Sequence, residues 1–174
     1  MSKLIKMFFV IERKMIALLN YFSPEKYMNL YTKYLVKIGV NILGKPSYID
    51  PSAYIDGVDY SLVSIGKECV ISRDVVLLTH DYSSIRALNA IGVRGRGARI
   101  LSGISIGNNT FIGAGSTILP GTIIGDNVIV GAGSVVKGNI PSNVVIAGNP
   151  ARVLKTTAEY AEKIVKMQDI VIEE

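Results

Sequence analysis

The chain of 174 residues has one cysteine, one histidine and no tryptophan. One cysteine excludes a disulfide bond within the chain, so Cys69 is expected to be a buried structural thiol. One histidine, His80, is too few for a catalytic zinc centre built from three imidazoles, and no cluster of cysteines or carboxylates replaces them. The sequence therefore predicts no catalytic metal.

Long apolar runs are also missing, although apolar residues make up 49% of the chain. The apolar cluster from Met7 to Ile11 ends at charged residues, and no run approaches the roughly 18 apolar residues of a membrane span. The cluster is also too short for the apolar part of a secretory signal. These absences predict a cytoplasmic protein. The same N-terminal segment is basic and amphipathic, so peripheral contact with a membrane surface stays open.

Charge is sparse and mildly positive, with a formal net charge of +5. This value is compatible with small anionic ligands as readily as with nucleic acid. Basic and aromatic residues do not alternate, and no known nucleic-acid motif occurs. We therefore expect no nucleic-acid partner.

A repeat of six residues dominates the second half of the chain. The aliphatic positions of this repeat are Ile100, Ile106, Ile112, Ile118, Ile124, Val130 and Val136. Four places after an aliphatic stands a small or β-branched residue: Thr110, Ser116, Thr122, Val128 and Ser134. The pattern predicts a parallel β-helix in which each hexad forms one short strand and one corner, and three hexads close a triangular coil. The aliphatic side chains should point inward, because the interior of such a prism holds no water.

The rest of the chain divides around this solenoid, which is predicted to span residues 44–155. Earlier hexads begin at Ile49, and a stretch without repeats from 81 to 99 is expected to form an extruded loop. Residues 1–43 should form two helices, the second capped by Ser23 and ended by Gly39. Residues 156–174 should form a helix and tail that begin at a capping box of Thr156 and Glu159. The predicted fold class is all-β, a parallel β-helix with helices at both ends.

His80 is the best candidate for a catalytic residue. It stands at the last solenoid position before the 81–99 loop. An imidazole that a rigid coil holds beside a loop is well placed to act as a general base near neutral pH.

These features together resemble a known family. The repeats, the Thr79-His80-Asp81 step, the loop after it and the segment from Ile146 to Arg152 look like the hexapeptide-repeat acyltransferases. The nearest group is the maltose and galactoside O-acetyltransferases and their relatives in polysaccharide clusters, over roughly residues 39–156. The resemblance implies left-handed coils, a homotrimer with active sites between adjacent prisms, and acetyl-CoA as the acyl donor.

The resemblance also implies roles for individual residues. Those expected along coenzyme A are Ala114, Ala132, Lys137, Gly138, Arg152 and Lys155, with Arg152 and Lys155 at the phosphates. Asp59 and Asp81 are expected near the acceptor, and Asp81 or a backbone carbonyl would hold the tautomer of His80. Arg94 and Arg96 are hypothesised to grip an anionic or nucleotide-linked acceptor.

The predicted activity is O-acetylation of a hydroxyl group on a sugar or glycan precursor, with His80 as general base. The sugar acetyltransferases often carry a second histidine, which this chain lacks, so the resemblance leaves the acceptor open. Three alternatives remain at this point: N-acetylation of an amino sugar or other amine, O-acetylation of serine, and a solenoid that binds without catalysis.

Overall fold

The computed structural model describes residues 3–93 and 100–167, with side chains from residue 7 onward. Its helices are α1 (Lys3–Leu18), α2 (Pro24–Ile38), α3 (Ser83–Ala90) and α4 (Thr157–Val165), with short 3-10 turns at Leu19–Tyr21 and Tyr60–Leu62. The strands before α3 are β1 (Asn41–Ile42), β2 (Tyr48–Ile49), β3 (Tyr54–Ile55), β4 (Val63–Ile65), β5 (Val70–Ile71), β6 (Val76–Leu77) and β7 (His80–Asp81). The strands after α3 are β8 (Ile100–Leu101), β9 (Ile104–Ile106), β10 (Phe111–Ile112), β11 (Thr117–Ile118), β12 (Ile123–Ile124), β13 (Ile129–Val130), β14 (Val135–Val136), β15 (Asn139–Ile140), β16 (Val144–Gly148) and β17 (Ala151–Thr156).

All strands except the β7 and β8 pair form the three faces of a prism. Sheet 1 contains β1, β4, β9, β12 and β15, sheet 2 contains β2, β5, β10, β13, β16 and β17, and sheet 3 contains β3, β6, β11 and β14. Successive strands of the chain enter sheets 1, 2 and 3 in turn, and the strands within each sheet are parallel up to β16. This arrangement confirms the predicted parallel β-helix with three hexads per coil.

The inward aliphatic side chains stack in register through the prism. On sheet 3, Leu77, Ile118 and Val136 are aligned partners, and all three are fully buried. A strand of two residues cannot bury an apolar side chain alone, so each coil depends on the coils above and below it.

The small residues of the repeat are buried as well, and their polar atoms satisfy backbone groups at the corners. The hydroxyls of Thr110 and Ser116 donate to the carbonyls of Gly125 and Gly131, one coil further on, at 3.1 Å each. Cys69 takes the same place and donates to the carbonyl of Gly107. Cys69 is fully buried, as predicted, and this burial raises the pKa of its thiol.

The structure differs from the sequence prediction where the repeat resumes after the 81–99 segment. Ile100 was expected to point inward, but it is 50% exposed, because β8 pairs antiparallel with β7 outside the prism. Beyond Val136, the last aliphatic of the six-residue pattern, the coil continues within the predicted span: β15 pairs in parallel with β12, and β16 pairs in parallel with β13 and buries Ile146. The chain then reverses, and β17 runs antiparallel to β16.

Helices close the N-terminal end of the prism. Ser23 caps α2 and Gly39 ends it in the left-handed region, as predicted. Tyr27, Tyr31 and Tyr34 of α2 are buried, and the Tyr27 hydroxyl donates to the carbonyl of Ile49 at 2.6 Å.

The capping box of Thr156 and Glu159 also forms, at the start of α4. The 81–99 segment was expected to be a loop, but its first half contains α3.

Replacing a stacked aliphatic should destabilise the protein far more than the same change outside the prism. We expect Ile118→Ala to lower the free energy of unfolding by about 2–5 kcal/mol, because it leaves a cavity in the stack. The matched control is Ile91→Ala, which follows α3 and is 74% exposed; its effect should stay within about 0.5 kcal/mol. Urea denaturation followed by circular dichroism measures both. Equal effects would contradict the stacking account.

Candidate active site

His80 lies at the corner between sheets 3 and 1, called here the His80 corner. The chain leaves the prism after Thr79 and returns at Ser102, whose N–H donates to the carbonyl of Thr79 at 2.9 Å. The short antiparallel pairing of His80 with Leu101 holds the exit and the return together. The imidazole therefore stands on a fixed backbone, with 22% of its side chain exposed.

A buried carboxylate lies directly beneath this histidine. Asp56 is at the same corner one coil earlier, and its side chain accepts four hydrogen bonds. The donors are His80 Nδ1, the Thr79 N–H at 3.1 Å, the Thr79 hydroxyl at 2.9 Å and the Val58 N–H at 3.3 Å. Burial alone would raise the pKa of Asp56, but the donors from His80, Thr79 and Val58 outweigh it, so the pKa is lowered. Asp56 is therefore ionised at neutral pH.

The ionised carboxylate determines which imidazole nitrogen carries a proton. A carboxylate without a proton only accepts hydrogen bonds, so Nδ1 of His80 must carry the hydrogen of their shared bond. In the neutral ring the lone pair is then on Nε2, the nitrogen opposite the carboxylate. The ring of Tyr82 packs edge-to-face against the imidazole, with ring centroids 5.0 Å apart. This is the geometry of a histidine oriented for proton transfer through Nε2.

Sequence reasoning missed Asp56 and considered Asp81 for its role. The Asp81 carboxylate instead accepts from the N–H and the hydroxyl of Ser83 at 2.7 and 2.8 Å, which fixes the first turn of α3. A usable signal did exist. Ile55 and Leu77 are aligned inward residues, so the residue after Ile55 must lie beneath the residues after Leu77. The break in the repeat at 59–64 concealed that register.

The two acidic residues predicted to contact an acceptor both lie on the surface. Asp81 has a lowered pKa, owing mainly to Ser83 and to a smaller degree to Lys137. Asp59 accepts from the N–H and hydroxyl of Ser61 and caps the 3-10 turn that follows Asp56. Their contact with an acceptor stays a prediction. Arg94 and Arg96 lie outside the described residues.

The residues predicted to bind coenzyme A separate into two groups. Ala114 and Ala132 lie one above the other at the corner between sheets 2 and 3, called here the alanine corner, where the Gly133 N–H donates to the Ala114 carbonyl at 2.8 Å. Arg152 reaches the same region, because it pairs with Ala147 next to Gly148, whose N–H donates to the Ser134 hydroxyl.

The other predicted coenzyme residues are elsewhere. Lys137 and Gly138 stand at the His80 corner, two coils beyond His80. Lys155 pairs with Val145, near the opposite end of β17 from Arg152. The structure therefore does not gather the whole predicted set on one side of a single chain.

Known proteins match both the repeat and the fold. Residues 95–138 match the family described as bacterial transferase hexapeptide (six repeats). Protein CapG of Staphylococcus aureus is 37% identical over 150 residues, which cover 81% of this chain and 80% of that protein.

Two solved structures extend the likeness. A maltose O-acetyltransferase from Clostridium difficile 630 is 27% identical, with a TM-score of 0.54 over 86% of this chain and 88% of the other. A galactoside acetyltransferase in complex with coenzyme A is 24% identical, with a TM-score of 0.61 over 94% of this chain and 88% of the other.

The chain belongs to the hexapeptide-repeat acyltransferase family, as its resemblance indicated. It is an acyltransferase, and its fold class is the left-handed parallel β-helix that the sequence predicted.

The Asp56 carboxylate should make stability depend on pH in a defined direction. A carboxylate whose pKa is lowered by folding stabilises the folded state at pH values above its pKa in the unfolded chain, about 3.9. This contribution disappears as the pH falls through its pKa in the folded state. We expect Asp56→Asn to lower the free energy of unfolding by about 1–3 kcal/mol at pH ~5, because its amide places a donor where the Asp56 site needs an acceptor. The difference from the unmodified protein should shrink below pH ~4.

Asp74→Asn is the control for this measurement. Asp74 is exposed and has a positive φ of 56°, which asparagine also tolerates. Its effect should stay small at every pH. Denaturant titrations across the pH series give the result, and a pH-independent effect of Asp56→Asn would refute the role given to its charge.

Proposed function

We propose that the protein is an acetyl-CoA-dependent O-acetyltransferase that acetylates a hydroxyl group of a sugar or glycan precursor. The observation that carries the proposal is the hydrogen bond between Asp56 and His80. It leaves Nε2 of a fixed imidazole ready to accept a proton, which is the task of a general base.

The proposed reaction uses the imidazole twice. Nε2 of His80 takes the proton of the acceptor hydroxyl as its oxygen attacks the carbonyl carbon of the thioester. The tetrahedral intermediate carries its negative charge on the former carbonyl oxygen, where backbone N–H groups would stabilise it. The carbon–sulfur bond then breaks, the acetyl ester remains on the acceptor, and the thiolate takes the proton from the imidazolium. Asp56 stabilises the positive ring between these two steps.

Acetyl-CoA is proposed as the donor, and the alanine corner suits its extended arm. Ala114 and Ala132 add only methyl groups to this corner, and the adjacent Gly133 adds no side chain. Arg152 at one end of the corner is exposed, and its guanidinium donates only to the neighbouring carbonyl of Ala151 among the hydrogen bonds of the described residues. Its remaining donors are suited to phosphate. The galactoside acetyltransferase that shares the fold was solved with coenzyme A, and we extend that donor to this chain.

A homotrimer is proposed because the two halves of the site lie at different corners of one prism. His80 is at the corner between sheets 3 and 1, whereas Ala114 and Ala132 are at the corner between sheets 2 and 3. Packing two prisms side by side would set one copy's His80 corner beside another copy's alanine corner. A threefold ring repeats this heterologous contact and closes it.

A sugar hydroxyl is proposed as the acceptor. The Clostridium difficile protein is a maltose O-acetyltransferase, which supports a sugar hydroxyl as acceptor. A role in polysaccharide biosynthesis and a cytoplasmic location belong to the same proposal. Asp59, Asp81, Arg94 and Arg96 remain the proposed acceptor contacts. N-acetylation and serine O-acetylation use the same donor and base, and the next experiment separates an amine from a hydroxyl acceptor.

Removing the imidazole should abolish most of the activity. We expect His80→Ala to lower kcat by about 10²–10⁴-fold with little change in KM for acetyl-CoA, since general-base catalysis contributes that much. Release of free thiol measures the rate across sugars, nucleotide sugars, amines and serine. Asp74→Asn should retain full activity.

The pH dependence of the same variant identifies the acceptor. With a hydroxyl acceptor the defect should persist at alkaline pH, whereas an amine loses its own proton there and the defect should shrink. A His80→Ala variant as active as the unmodified protein on every acceptor would refute the proposal. A chain that shows no thermal stabilisation by coenzyme A would support a solenoid that does not use this donor.

Arg152 should act on donor binding alone. We expect Arg152→Ala to raise KM for acetyl-CoA about tenfold or more while kcat stays unchanged, because a charge-assisted hydrogen bond to phosphate contributes to binding. Lys163→Ala on the exposed side of α4 is the matched control. An unchanged KM for Arg152→Ala would remove Arg152 from the donor site.

A further inference from the structure

Helix α1 presents a broad apolar face that nothing in the described structure covers. Six large apolar side chains of the helix are between 53% and 61% exposed: Met7, Phe8, Val10, Ile11, Met15 and Leu18. Tyr21 and Phe22, just beyond the helix, are each 85% exposed. Single exposed apolar residues are ordinary on a protein surface, whereas a contiguous face of this kind marks a binding surface.

Most of these residues form one stripe along the helix, whereas Val10 lies beside it and lines a cavity with Arg13 and Tyr34. Met7, Ile11, Met15 and Leu18 are separated by four, four and three positions, so they lie on one side of the helix. Phe8 lies beside Met15 and Ile11 for the same reason. We call this set the outer face of α1.

The orientation of α1 is fixed by contacts on its other side. Phe9 and Ile16 pack against the core, and the Arg13 guanidinium donates to the carbonyls of Pro51 and Ala53 at 2.7 and 3.0 Å. Glu12 forms an ion pair with Lys37 of α2. The outer face therefore belongs to a docked helix and is turned away from the prism.

Helix α1 carries more positive than negative charge. The helix contains Lys3, Lys6, Arg13 and Lys14 but only one acidic residue, Glu12, whose charge Lys37 compensates. Lys14 is exposed, and it stands three positions after Ile11 and four before Leu18, so it borders the apolar stripe. An apolar face with a basic border complements a surface that is apolar inside and negatively charged outside.

We propose that the outer face of α1 binds the surface of a membrane that contains anionic lipids. The helix would lie in the plane of the interface with its apolar side chains among the acyl chains and Lys14 at the headgroups. A second copy of this chain fits less well, because its outer face offers no acidic group to Lys14: Glu12, the one acidic residue of α1, pairs with Lys37. None of the helices of the described residues is long and apolar enough to cross a bilayer.

The test is co-sedimentation of the full chain with vesicles. The probes are vesicles of phosphatidylcholine alone and of phosphatidylcholine with phosphatidylglycerol. We expect binding to the anionic vesicles that weakens as salt is raised, since surface charge is screened. Ile11→Ser combined with Met15→Ser should reduce this binding about tenfold or more, because it removes two inserted apolar side chains. Lys14→Glu should weaken binding to the anionic vesicles alone.

The matched control is Ile91→Ser combined with Val153→Ser, two similarly exposed apolar residues outside α1; it should bind as the unmodified chain does. Circular dichroism checks that each variant is folded, and Lys14→Glu keeps the test valid if the double α1 variant is not.

Sedimentation velocity without vesicles measures the oligomeric state and so tests whether a second copy of the chain covers the outer face instead. A double α1 variant that lowers the oligomeric state would assign the outer face to a second copy and overturn the proposal. Binding that neither α1 variant weakens would overturn it as well.

Discussion

The structure depends on a corner that the chain turns after every short strand. Each strand is only two or three residues long, so its stability comes from alignment with the coils on either side. Alignment requires that every corner return the chain in register with the coils on either side and that its polar groups find partners. Buried hydroxyls such as those of Thr110 and Ser116 meet this need, because each donates to a carbonyl one coil further along. On the outside, the amides of Asn109, Asn127 and Asn143 form a ladder of hydrogen bonds at 2.9 and 2.8 Å.

Close backbone approach adds a second requirement at the corners. A Cβ on Gly113 would lie 2.5 Å from the Ala132 nitrogen and 2.7 Å from the Val130 carbonyl oxygen. Such distances are shorter than real contacts, and backbone atoms cannot move aside as a flexible side chain does. Asn127 tolerates the positive φ that other corners need, because its short polar side chain suits the left-handed region. The coil geometry therefore requires the recurring pattern of aliphatic, glycine, asparagine and small hydroxyl residues.

This recurring pattern explains which parts of the fold and of the candidate site were predictable from the sequence. The period of six identified the prism and its inward residues, and capping residues identified the flanking helices, because both signals are local in the sequence. Ile100 was misassigned since it continues the period by number while its strand pairs outside the prism. Asp56 was missed because its role depends on residues of the next coil, Thr79 and His80, and Thr79 is 23 positions further along the chain. The break in the repeat between them concealed that these residues are neighbours. The presence of α3 was not foreseen, as the segment lacks an apolar stripe long enough to indicate a helix.

The interruptions of the repeat explain the position of the candidate active site. The chain departs from the period twice in the first half of the prism, immediately after Asp56 and immediately after His80. Both departures occur at the His80 corner, in consecutive coils, and β4 and β9 resume pairing directly after them.

A regular coil would place an aliphatic or a glycine near each of these positions, and neither could hold or move a proton. Extra residues can leave a solenoid at a corner without disturbing the stack, so polar side chains are tolerated there at the least cost in packing. The reactive pair is thus a consequence of the same constraint that builds the prism, since rigid coils on both sides keep the carboxylate and the imidazole in contact.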